Sequence, residues 1–373
     1  MDGSKILLGS GLVILDPLLD LFRGKAVTIP PMDGALRPDT TLDEAAALAE
    51  HRAPDNLCFD GERVLFSSGP EILALPAMPG AEPAIVARFE ANVAALAAAP
   101  SGRLAVALAN GKLLLRDGSA APVPVPPADG FAGPTALAFA GDDTLYVCHG
   151  SAIHGPEDWA VDLMEGNAGG SVWRIDLPGG GATCLARGLA FPNGLLVDPR
   201  GERLIVSESW RHRLIALPAS GGRPQPVLEK LPGYPARLAP SADGGAWLAL
   251  FAPRNRLIEF VLLEDAYRTD MMREVPRDFW IAPALSSARS FLEPLQCGGV
   301  KTMGIHKPWS PSRSYGLVAR LDGALQPSQS FHSRANGSRH GITSVLERPG
   351  RLLATSKGGD AVLGVNLTHA ERA

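Results

Sequence analysis

The chain has 373 residues, a formal net charge of −4, 46% hydrophobic and 20% charged residues, 41 glycines and 33 prolines. That composition excludes intrinsic disorder, and the acidic balance without a Lys/Arg run excludes non-specific binding to nucleic acid. Glycine and proline at this level suit many strands joined by turns.

In chain order, the first apolar stretch runs from Ile6 to Leu15 and is interrupted by glycines. It is too short to span a bilayer and no small-residue cleavage site comes after it, so neither a membrane segment nor a signal peptide is expected. It is expected instead as a strand that closes the fold against the C-terminus, with residues 1–52 forming an N-terminal extension. Within that extension TLDEAAALAEH reads as a helix, with Thr41 as N-cap and Glu44 completing a capping box. Cys58, Cys148, Cys184 and Cys297 are widely spaced and form no CxxC pair. A structural zinc site is therefore not expected, and the usage fits a reducing, cytoplasmic setting.

From Ala53 onward one pattern recurs. APDNLCFDGERVLFSSG, NVAALAAAPSGRLAVALANG, GPTALAFAGDDTLYVCHG, GLAFPNGLLVDPRGERLIVSES, YPARLAPSADGGAWLALF and HGITSVLERPGRLLATSKGG each hold an apolar strand, a Gly- or Asp-containing turn and a second apolar strand. Several continue into a third strand, as in GKLLLRD, HRLIALP and DAVLGVNL. Most steps between units are about 40 residues, the spacing of propeller blades. A lone sheet of this kind cannot bury both faces, whereas a closed ring of sheets can. The predicted fold is all-β: a six-bladed β-propeller forming a single domain over residues 1–373. The long last step contains FVLLEDAYRTDMMREVPRDFW, whose apolar spacing is helical. It predicts a helical insertion in the fifth blade over residues 253–295.

GLAFPNGLLVDPRGERLIVSES, the HRLIAL just after it, and LPGYPARLAPSADGGAWLAL resemble the strictosidine synthase-like family, related to the gluconolactonase and paraoxonase-type six-bladed propellers. The resemblance runs from about Ala53 to Leu367. It implies that the innermost strand of each blade lines a central channel, and that lactonase-type members bind a divalent cation there, often Ca²⁺. Asn193 matches the asparagine of the FPNG-like motif, and Asp55 stands near the first-blade acid, so these two are the candidate metal ligands. The expected Asp-Asn pair after LPGYP is Ala236 and Arg237 here, and the third-blade asparagine is Thr135. Two of four ligands are thus replaced, which leaves a weakened Ca²⁺ site at best. The resemblance also implies a last-blade glutamate for alkaloid-forming condensation. Thr343 or Ser344 stands there, so that chemistry is not supported.

His340, His149 and Asp55 are the candidate catalytic residues: a histidine can move a proton near neutrality, and Asp55 falls at a strand entrance. Arg237, Thr135, Glu208 and Lys357 are candidates for substrate contact, with Arg237 suited to an anion. Lys301 and His306, in a Gly-rich stretch, are lid candidates. Asn193-Gly194 has the plainer alternative of a simple turn. No GxSxG elbow, HExxH, P-loop or dinucleotide fingerprint is present. The expectation is a hydrolase acting on a lactone or ester, with a small-molecule substrate, no nucleic acid and no membrane as partner, and with the oligomeric state left open. The alternatives are a metal-free condensing or lyase-type enzyme and a non-catalytic binding scaffold.

Overall fold

The computed structural model describes residues 28–367, apart from 79, 119–122, 126–132, 288, 291, 295–298, 303–304 and 309–311. Ile6 to Leu15, expected to close the ring, lie outside the described residues, as does Cys297. The described strands form six four-stranded antiparallel sheets and one separate two-stranded ribbon. The first strands of the six sheets are Asp55–Phe59, Val93–Ala98, Pro134–Ala140, Pro192–Val197, Gly233–Pro240 and Ile342–Arg348. Each of these packs beside the first strand of the next sheet, right round the ring. The result is the expected six-bladed propeller, with one blade for each repeated hairpin.

The hairpin turns follow from the repeated acid. Asp60 Oδ1 accepts from the backbone of Glu62 and Arg63 at 3.0 and 2.7 Å, and its Oδ2 accepts from the Arg63 guanidinium at 2.9 Å. Asp198 does the same for Glu202 and Arg203 further round the ring. A carboxylate that caps its own turn sets the hairpin register locally. Between blades the alternate apolar side chains interlock. Leu65, Ile72 and Val106 fill the space between blades one and two, and Val172, Leu195 and Val206 that between three and four. Burying each such side chain contributes roughly 1.5–3 kcal/mol.

Two expectations change at the N-terminus. Only Thr41–Glu44 is helical, and the rest of the proposed helix, Ala46–Glu50, is the outer strand of blade six, paired antiparallel with Ala361–Asn366. Ala-rich segments suit either state, and here an open sheet edge decides it. Leu48 and Ala49 bury against Leu353 and Val362, a gain that one isolated helical turn cannot match. The N-cap is Thr40 rather than Thr41, and Thr40 Oγ1 donates to Glu44. In the fifth sheet, helices Arg256–Leu263 and Asp265–Glu274 separate the strands Ala246–Pro253 and Gly316–Leu321. Asn255 caps the first of them by accepting from Leu257 and Ile258. No described helix is long and apolar enough to cross a membrane.

Asn193-Gly194 is not a turn. It lies inside the first strand of blade four. The glycine is required by proximity: a Cβ on residue 194 would stand 2.1 Å from the carbonyl oxygen of Ala236 on the next blade. Gly194→Ala is therefore expected to lower stability by roughly 1–3 kcal/mol, read as a reduced urea midpoint at unchanged m-value. Gly181→Ala is the control, because a Cβ there meets nothing within 4 Å and needs no left-handed backbone. It should fall within about 0.5 kcal/mol of the parent.

Candidate active site

At one end of the ring the first strands begin and the second strands finish. The crossings between blades pass through tight turns. Ala53 before Pro54, and Phe191 before Pro192, are held at φ of 47° and 56°. These turns aim the opening residues of the inner strands at the axis, where a cavity of about 840 Å³ opens. Asp55, Ala94, Thr135, Asn193, Arg237 and Thr343 all line it, one from each blade in turn, and Lys357 joins them from the end of a second strand.

The floor of the cavity is a charge cluster. Arg237 Nη1 donates to Asp55 Oδ1 at 3.0 Å, and Lys357 Nζ donates to Asp55 Oδ2 at 2.9 Å. Arg237 Nη2 continues to the main-chain carbonyls of Ala94 at 2.7 Å and Thr135 at 3.1 Å. Burial alone would raise the Asp55 carboxyl, but Arg237 and Lys357, with a further hydrogen bond from Thr343, hold it down to about 2. The cluster therefore carries two cations against one anion. Arg237 is largely spent on protein partners, whereas Lys357 keeps about a third of its side chain exposed.

Facing this floor is an aromatic wall of Trp159, Phe191 and Phe251. Phe191 stacks on Trp210 with centroids 4.4 Å apart, and Phe251 meets Trp159 edge-on at 5.3 Å. Leu285, from the insertion of blade five, completes it. A third side is polar, with the pairs Arg88–Glu71 and Asn92–Glu157.

The remaining candidates sit elsewhere. His340 was expected at the channel entrance. It is 4% exposed, its Nε2 donates to the carbonyl of Arg334 at 2.7 Å, and its Nδ1 accepts from Ser314 at 2.8 Å. Gly341, at φ 67°, turns the chain after it, and Thr343 is the residue that reaches the cavity. His149 is buried at the end of its strand, outside the cavity wall, and burial pushes its pKa down to about 3. It stays neutral across the physiological range. Glu208 is fully buried, also off the wall. Its Oε1 accepts from Ala190 N at 2.8 Å and from Arg211, and its Oε2 accepts from Arg213 at 2.6 Å. It braces the turn that presents Phe191. Thr135 reaches the wall, yet its hydroxyl donates to the carbonyl of Pro192, so its side chain joins blades three and four. The side chains of Lys301 and His306 lie outside the described residues.

Sequence reading overlooked His51 and the aromatic wall. His51 lines the cavity directly after the closing strand, and its backbone N–H donates to the carbonyl of Asp360 at 2.9 Å. The signal was its place four residues before Asp55, hidden by the helical reading of that segment. The wall residues come from unlike places, Trp159 from the start of a helix, Phe191 from the turn before a strand and Phe251 from within a strand, and so share no periodic signal.

The donor set does not fit a bound divalent cation. Both Asp55 oxygens face side-chain cations, and Asn193 adds a single amide. Among the described residues no cluster of three or more His, Cys, Asp or Glu side chains could hold one.

Removing the Asp55 charge leaves Arg237 and Lys357 uncompensated. Asp55→Asn should cost about 3–5 kcal/mol, measured by chemical denaturation at pH 7. Because the folded-state pKa is depressed to about 2 from an ordinary value of about 4, this stabilisation is complete above pH 4 and is lost as pH falls towards 2. The variant should lack that component of the acid transition.

The family model for strictosidine synthase matches residues 136–217, which span most of blades three and four. Protein STRICTOSIDINE SYNTHASE-LIKE 6 of Arabidopsis thaliana is 30% identical over 125 residues, covering 33% of this chain and 34% of that one. The adipocyte plasma membrane-associated protein of Danio rerio is 30% identical over 113 residues, covering 30% and 27%. The matches thus take in about a third or less of these relatives' lengths. Among solved structures, a calcium-binding protein, regucalcin, from Agrobacterium tumefaciens superposes with a TM-score of 0.55 at 12% identity, covering 86% of this chain and 92% of that one. A gluconolactonase from Xanthomonas campestris gives 0.55 at 14% identity, covering 92% and 98%. At such identities the likeness concerns the fold alone. With the match confined to blades three and four and a ring of six sheets around it, the chain is a six-bladed β-propeller that is similar to the strictosidine synthase family over those two blades.

Proposed function

We propose that this propeller is a hydrolase that opens a lactone or ester of a small, partly apolar molecule in the central cavity, without a divalent cation. The observation that carries this reading is Lys357. Asp55 accepts one of its three N–H donors, and about a third of the side chain stays exposed. An ammonium held in place by a buried carboxylate can polarise a carbonyl and take the charge of the oxyanion that forms on it. The aromatic wall of Trp159 and Phe251 suits the apolar part of the substrate.

In this reading water adds to the carbonyl carbon while His51 accepts its proton. The tetrahedral oxyanion forms against Lys357. The acyl C–O bond then breaks and the proton passes to the departing alkoxide, giving an acid and an alcohol. Asp55 does not act as the base, because its depressed pKa makes it too weak at neutral pH. Its role is to fix Lys357 and Arg237. The gluconolactonase among the structural neighbours is in keeping with this chemistry. Cys58 and Cys148, free and buried, support a reducing, cytoplasmic setting.

Binding without turnover is the competing reading, favoured by the engagement of Arg237 with protein partners alone. Turnover on a panel of lactones and aryl esters separates the two. Lys357→Met should lower kcat by about 10²–10³ with a smaller change in KM. His51→Gln should lower kcat by about 10²-fold or more. EDTA should leave the parent rate unchanged. A parent protein that binds panel members and turns over none would establish the competing reading.

A further inference from the structure

Three oxygens from three blades converge on one guanidinium at the axis. Asp55 Oδ1 comes from blade one, the Ala94 carbonyl from blade two and the Thr135 carbonyl from blade three, at 3.0, 2.7 and 3.1 Å from Arg237 nitrogens. Arg237 itself reaches across from blade five. A carboxylate with main-chain carbonyls is a set of hard oxygen donors, the kind that holds Ca²⁺. Asn193, at the entrance of blade four, lines the same cavity. Oxygens turned inward at the centre of a ring need a positive partner, since buried acceptors left unmatched are costly.

We propose that Arg237 is the resident cation of this axis, carried by the chain itself, and that removing its guanidinium uncovers a divalent-cation site on blades one to three. The site is a cation site by virtue of its oxygens, and its occupant is covalently attached. Asp55 and the two carbonyls are already spaced around one positive centre, so a substitution that deletes that centre leaves the oxygens in place. Lys357 is the second cation on Asp55 and competes with an added metal. The uncovered site should therefore be strongest where both positive side chains are gone. This inference is independent of the hydrolase reading, because it concerns binding and stability.

The test uses the full-length chain. For the parent, calorimetric titration with CaCl₂ should give no binding heat, and neither calcium nor EDTA should move the melting temperature. Arg237→Ala should melt lower than the parent and recover in part with free guanidinium. The double variant Arg237→Ala, Lys357→Met should bind Ca²⁺ with a dissociation constant of about 10⁻⁴–10⁻³ M. Its melting temperature should rise by roughly 2–4 °C at saturating calcium and fall back on chelation. Calcium binding by the parent would overturn the resident-cation assignment. Folded variants that respond to neither calcium nor guanidinium would overturn the uncovered site. If the alanine variants do not fold, refolding in guanidinium or calcium becomes the readout, with Arg237→Lys as the charge-retaining control. Rescue by either cation supports the proposal. Failure of both alongside a folded lysine variant refutes it.

Discussion

The bond from Arg237 to Asp55 across the propeller axis is the constraint that organises this protein. A ring of sheets solves the problem of sheet edges, but it turns the ends of its inner strands toward one another, with their carbonyls and opening side chains. Here the ring answers with a guanidinium from blade five, shared among oxygens of blades one, two and three. Its planar geometry, with several donors in a fixed fork, lets one side chain bond three acceptors at once. An ion pair so buried gives up much hydration, and the charge-assisted hydrogen bonds on both partners offset that cost.

This arrangement determines what kind of cavity can exist above it. The excess positive charge is fixed to one side, because Asp55 binds Lys357 and Arg237 together. The apolar side is fixed just as firmly, although by a different means. Glu208, which lies off the cavity, accepts the N–H of Ala190 and two arginines, and so holds Phe191 in a left-handed backbone with its ring stacked on Trp210. The cavity thus has a polarity that the fold enforces, cationic at Lys357 and apolar at Phe191.

The sequence made the blades legible because each carries its own local instruction. Asp60 and Asp198 cap their turns from within the hairpin, so the pattern survives without tertiary context. The strand entrances were legible for the same reason, and Asp55, Asn193, Arg237 and Lys357 do line one cavity. His340 was misplaced because the left-handed Gly341 shifts the strand's start and brings Thr343 inward instead. Glu208 looked like a site residue because a buried acid at a strand end has the same sequence appearance whether it faces a cavity or a pair of arginines. The aromatic wall could not be read at all, since Trp159 of blade three meets Phe251 and Leu285 of blade five only once the ring has packed.

The helical reading of Thr41 to His51 failed for a reason that bears on the site. An alanine-rich segment takes the structure that buries it, and the strand Ala46–Glu50 exists because blade six offers an unpaired edge. Closure then fixes the path of the next residues. Asp360, itself at φ 53°, accepts the His51 N–H on its carbonyl and the Ala53 N–H on its carboxylate. The chain between those clips can only pass over the rim and descend as the first strand of blade one, which begins at Asp55. Ring closure and assembly of the charge cluster are therefore one event: until blade six is complete, Asp55 has no fixed position from which to meet Arg237.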